Sequence, residues 1–141
     1  MNVISSPLEL VQLLVGYQPA AVLRAASQLG LFDALTDQPQ PVSEIANQLA
    51  VDSSNLNTLL AALHQLGLVS ILGDGFAATP FTFGHLRSNS DLDMVIKKEA
   101  FFAEAWLGLD EVIRSGRPIL APWKERLHTQ SDQTKERSEE H

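Results

Sequence analysis

The side chains able to do chemistry are few and far apart. His64 and His85 have no second histidine, cysteine or carboxylate at a metal-ligand or triad spacing. Lone histidines of this kind read as structural or surface groups. Glu9, Glu44, Glu99 and Glu104 are scattered, with no partner placed to shift a pKa. There is no cysteine, so thiol chemistry and disulfides are excluded. The eight glycines are Gly16, Gly30, Gly67, Gly73, Gly75, Gly84, Gly108 and Gly116. They form no G-x-G-x-x-G loop, and Gly73-Asp74-Gly75 reads as a hairpin turn. The sequence therefore yields no catalytic residue, no cofactor-binding residue and no metal ligand.

The elements that would have to position any site are clearer. In Val42–Ala50, the residues Val42, Ile45, Ala46 and Leu49 fall at i, i+3, i+4 and i+7. In Asn55–Leu66, Leu56, Leu59, Leu60, Leu63 and Leu66 make one apolar stripe. Ser43 is placed to cap the first helix and Asp52 or Ser53 the second. Gly67 sits where a helix-ending glycine belongs. Leu68–Leu72 and Phe76–Thr79 then flank the Gly-Asp-Gly turn. Helix, turn, helix and hairpin make a winged helix.

A winged helix suggests DNA, but DNA affinity comes largely from Lys and Arg on phosphates. Between Arg24 and Arg87 there is no Lys and no Arg. The same interval carries Asp33, Asp37, Glu44, Asp52 and Asp74. The second helix offers Asn55, Asn57, Thr58, Ala61 and Gln65 on its outer face, without a backbone anchor nearby. A transcriptional regulator is the rival reading, and the missing basic residues count against it. The element reads instead as a packing and pairing module.

With 141 residues, 45% of them hydrophobic, the chain has material for one domain with a real core. The formal net charge of -7 disfavours acidic partners and bare membrane surfaces. No stretch approaches the ~20 apolar residues of a membrane helix, and the N-terminus is no signal peptide. A cytoplasmic location fits. Ser5 or Ser6 with Pro7 starts a first helix that is apolar nearly all round from Leu8 to Tyr17. One core-facing stripe does not account for that, so Leu10, Leu13, Leu14 and Tyr17 read as a subunit interface rather than a monomer core. Pro19 opens the next helix, Gly30 ends it, and Thr36–Pro41 is a loop by its two prolines. Pro80–Leu86 reads as one helical turn packed on the hairpin. Asp91–Arg114, capped by Ser90 or Asp91, reads as one long helix of about 36 Å. Its stripe is Leu92, Val95, Phe102, Trp106, Leu109 and Ile113, and Lys97-Lys98-Glu99 reads as its solvated face. Phe101, Phe102 and Trp106 serve either as core or as an interface or ligand wall. The domain spans 1–120, and 121–141 is a polar tail expected to be disordered.

Several segments together resemble a known family: Gly16-Tyr-Gln-Pro19, Ala25–Asp33, Val42–Ala46, Leu56–Val69, Thr79-Pro80, Trp106 with Leu109, and Gly116-Arg-Pro118. Their order and spacing over roughly residues 8–118 resemble the N-terminal dimerisation domain of S-adenosylmethionine-dependent small-molecule O-methyltransferases. That family includes plant caffeate-type and bacterial polyketide-tailoring enzymes. The resemblance implies a mainly α fold: a winged helix with a small hairpin, N-terminal dimerisation helices and a long C-terminal helix. It implies a homodimer, no DNA binding, and a long helix walling an acceptor pocket for a small aromatic molecule. In the family, S-adenosylmethionine is held by a following Rossmann-like domain. The sequence departs from the family after Pro118, so this chain is expected neither to bind that cofactor in the family's way nor to transfer methyl groups alone. A separate or missing catalytic domain would be its partner.

Overall fold

A computed structural model describes residues 3–117. The chain divides into two compact units after Lys97. The order in the first is α1 (Pro7–Leu14), α2 (Tyr17–Leu29), α3 (Leu31–Ala34), α4 (Val42–Leu49), α5 (Ser53–Gln65), β1 (Val69–Leu72), β2 (Gly75–Ala78) and α6 (Pro80–His85). Helix α7 (Asp91–Trp106) crosses the division, and α8 (Leu109–Ser115) lies in the second unit.

The winged-helix-like arrangement is present. Helices α4 and α5 are joined through Ala50 in the left-handed region (φ 56°), with the Val51 N–H returning to the Ala46 carbonyl at 3.1 Å. Asp52 caps α5 by accepting from the Asn55 N–H at 2.8 Å. The expected Ser43 cap on α4 is absent. Pro41 occupies the cap position, and no side chain bonds there. Leu66 closes α5 and Gly67 follows with φ 76°. Leu72 pairs with Gly75, so Gly73 and Asp74 form a two-residue hairpin loop with Gly73 at φ 59°.

The core gathers Ala26 from α2, Leu31, Phe32 and Ala34 from α3, Ile45 and Ala46 from α4, and Leu56, Leu60 and Leu63 from α5. Leu35, Val69, Ala78 and Leu86 complete it. The leucine stripe of α5 points inward as its 3.6-residue period requires, except that Leu66 at its end is exposed. Helix α6 docks through Thr82, whose hydroxyl donates to the Leu68 carbonyl at 2.6 Å. Thr79 caps α6 by accepting from the Thr82 N–H.

Two further expectations need correction. The proline loop is more than a connector, because Gln40 exchanges both backbone hydrogen bonds with Phe76 (3.0 and 2.8 Å) and thereby lies along β2. The single helix over Asp91–Arg114 is two helices. After Trp106, Gly108 bonds back to Ala105 rather than four residues back, and α8 starts anew from the Gly108 carbonyl. Glycine has the least to lose by leaving a helix. The expected tail over 121–141 lies outside the described residues.

Gly75 is required by close approach. A Cβ there would stand 2.8 Å from the Pro39 Cβ and 3.0 Å from the Gln40 nitrogen. Gly84, inside α6, would meet nothing within 4 Å among the described residues. Gly75→Ala is expected to cost about 1–3 kcal/mol in denaturant unfolding. Gly84→Ala should be neutral or stabilising by about 0.5–1 kcal/mol. Equal effects would remove the steric account.

Candidate functional site

Helix α1 begins at Ser6, whose hydroxyl accepts from the Glu9 N–H at 3.2 Å, while the Glu9 carboxylate accepts from the Ser5 N–H at 3.1 Å. Leu10, Leu13 and Leu14 lie on one α1 face by their spacing. Tyr17 starts α2, across a short joint at Val15 and Gly16. No residue of α1 is buried. Leu13 is 59% exposed, Leu14 64% and Tyr17 68%, and Leu8, Leu10, Val11 and Val15 are exposed with them. Exposed apolar side chains thus crowd one short helix.

The aromatic set sits on α7 in the second unit. Phe101 and Phe102 are half-buried, with their rings edge to face at 6.3 Å between centroids. Trp106, one turn beyond Phe102, is 63% exposed.

The histidines have structural surroundings. His64 Nδ1 lies 2.9 Å from the Val69 carbonyl, tying the end of α5 to β1. The His85 ring packs against Phe81 at 4.9 Å. Among the described residues no group of three or more His, Asp or Glu side chains could hold a metal ion. The outer face of α5 presents Asn55, Asn57, Thr58, Ala61 and Gln65 to solvent, and Asp74 is exposed at the hairpin tip. No described helix is long and apolar enough to cross a membrane.

An S-adenosylmethionine site needs a strand, a glycine-rich loop and a helix N-terminus in succession. The only described sheet is the antiparallel pair β1–β2, and its Gly73 and Gly75 are used for the turn and the Pro39 contact.

The polar centre that sequence reasoning missed is Asp93. In α7, Leu92 and Val95 of the apolar stripe are both exposed, whereas Asp93 is 3% exposed. Its carboxylate accepts from Ser27 Oγ (3.1 Å), the Asn89 N–H (3.2 Å) and Lys97 Nζ (2.7 Å). Lys97 thus belongs to this pair rather than to a purely solvated run. Burial pushes the Asp93 carboxyl up, but the bonds from Lys97, Asn89 and Ser27, with the Lys97 charge, outweigh it and hold it below the ordinary carboxylate range. The i, i+4 spacing of Asp93 and Lys97 was the available signal.

The sequence model of the O-methyltransferase dimerisation domain matches residues 11–82. The chain belongs to this family. It is 29% identical over 110 residues to the N,N-dimethyltransferase OxyT of Streptomyces rimosus, covering 76% of this chain and 32% of that protein. Among solved structures, an O-methyltransferase family protein from Burkholderia thailandensis matches with a TM-score of 0.75 at 28% identity, over 84% of this chain and 36% of that one. The N,N-8-amino-8-demethyl-D-riboflavin dimethyltransferase RosA of Streptomyces davawensis matches at 30% identity with a TM-score of 0.68, over 82% and 36% of the two chains. This dimerisation domain thus spans about a third of the length of the relatives it matches.

An isolated helix as short as α1 is marginal in water, so its cap matters. Ser6→Ala is expected to remove about 1 kcal/mol from α1. In amide exchange, α1 should lose protection while α5 does not. Unchanged α1 exchange would mean that the cap contributes nothing.

Proposed function

We propose that this chain is a homodimerisation module of an O-methyltransferase-like protein, non-catalytic by itself. The carrying observation is that α1 is apolar nearly all round and buries none of its residues. Leu10, Leu13, Leu14 and Tyr17 form the interface against a second copy. Fully burying a side chain the size of Leu gains about 1.5–3 kcal/mol, so a few leucines from each copy suffice to hold a dimer against the cost of association.

In this proposal Phe101, Phe102 and Trp106 form part of the wall of an acceptor pocket for a small aromatic molecule. Half-exposed aromatic rings on one helix suit flat apolar ligands. Methyl transfer then depends on an S-adenosylmethionine-binding domain, supplied in the same protein or as a separate partner. The similarity to methyltransferases of which the matched part is about a third supports that division of labour. The absence of cysteine and the acidic composition suit a cytoplasmic location.

Light scattering on a sizing column is expected to give twice the chain mass, with Leu13→Asp and Leu14→Asp each giving monomer, since an unpaired charge in an apolar interface is costly. A variant that stays dimeric would sink the interface assignment. Nucleic acid is no partner in this reading. A mobility shift with genomic DNA at low salt should show no complex, and a retarded band would revive the regulator.

A further inference from the structure

The segment joining α6 to α7, residues 86–90, is held by two carboxylates. Asp33 on α3 accepts from the Ser88 N–H at 2.9 Å and from the Ser88 hydroxyl, and Arg87 Nε stands 4.0 Å away. Asp93 accepts from the Asn89 N–H, from Ser27 on α2 and from Lys97. Asn89 is itself left-handed at φ 68°, a conformation that places its N–H on the Asp93 carboxylate. Ser90 Oγ donates to the His85 carbonyl at 2.6 Å and accepts from the Asp93 N–H at 3.1 Å.

Apolar contact contributes little at the same place. Within the first two turns of α7, Leu92, Met94 and Val95 are exposed, and only Ile96 packs against the core. The charge-assisted bonds that reach the body of the first unit are Ser27 to Asp93 and Ser88 to Asp33, while the Asn89 and Lys97 bonds brace the Asp93 carboxylate from the connector and from α7 itself.

We propose that Asp93, seconded by Asp33, is an electrostatic clasp for the first two turns of α7, and that opening it releases these turns while α2–α6 stay folded. Asp93 is then a positioning residue for the first two turns of α7. The charged groups facing it are Lys97 from α7 and Asp33 from α3, with Arg87 of the connector beside Asp33. Helix α2 contributes the Ser27 hydroxyl and carries one charged residue, Arg24.

The direction with pH follows. Burial raises the Asp33 carboxyl, and the two Ser88 bonds and the Arg87 charge more than offset this, so Asp33, like Asp93, is held below the ordinary carboxylate range. The clasp is complete above the ordinary value of about 3.9 and is lost as pH falls through the lower folded-state values.

The test is amide hydrogen exchange on the whole chain, corrected for intrinsic rates, for wild type, Asp93→Asn, Asp93→Ala and the milder pair Ser27→Ala and Lys97→Met. At neutral pH, amides 94–97 in both Asp93 variants should exchange roughly tenfold or more faster, with α5 amides unchanged. The milder pair should give smaller changes of the same pattern. In wild type, acid should loosen residues 94–97 before α5, and Asp93→Asn should lose that step. Wild-type protection of 94–97 in Asp93→Asn would overturn the clasp. So would loss of α7 and α5 protection together, in the variants or in acid, because Asp93 would then support the whole unit rather than one helix.

Discussion

The first unit depends on the burial of one turn, Leu31-Phe32-Asp33-Ala34-Leu35. Leu31 and Leu35 are fully buried, and Phe32 and Ala34 nearly so. Gly30 makes this possible by ending α2 in the left-handed region at φ 77°, so that the chain turns at once into α3. Helices α2 and α4 pack directly against α3, and residues of α5, β1 and β2 join the same core. That core is complete without α1. The apolar surface of α1 is thus surplus to folding, and surplus apolar surface of this extent persists where another surface covers it.

Most of this was legible because it is periodic or punctuated. The α5 stripe and the α4 pattern follow the 3.6-residue repeat, and the Gly-Asp-Gly turn fixes the hairpin register by its length. What escaped is non-local. Asp93 sits in a stretch whose local pattern offers Leu92 and Val95 to the interior. Its burial is decided instead by Ser27, sixty-six residues earlier, and no window along the chain contains both. Likewise Gln40 looks like a loop residue between two prolines until Phe76 lies opposite it. The break at Gly108 was visible as a glycine, but one glycine inside a long apolar pattern does not by itself end a helix. Of the candidate site residues, the exposure of the α1 set was legible from excess, α1 being more apolar than one face requires. The aromatic set was legible only as area, because its neighbours are not encoded nearby.

The helix-turn-helix shape is independent of its usual chemistry. The same α4–α5–hairpin geometry reads DNA only when its outer surfaces carry cations for phosphates. Here the outer face of α5 is amide and hydroxyl, and the hairpin tip is a carboxylate. The shape is a core of α2, α3, α4 and α5 with the hairpin, and α6 is fastened to it by the Thr82–Leu68 bond.

The two ends of the first unit are attached by opposite physics. Helix α1 offers apolar surface, whose association is nearly insensitive to salt and to pH across the neutral range. Helix α7 is attached by carboxylates that carry their bonds only when ionised. Apolar surface is non-directional and lets a partner slide. Of the three hydrogen bonds to the Asp93 carboxylate, the one from Ser27 comes from another helix, and it is directional as apolar contact is not. A pairing surface tolerates the first kind of attachment. The buried charge at Asp93, where a leucine would have packed, is held by partners that a leucine could not engage.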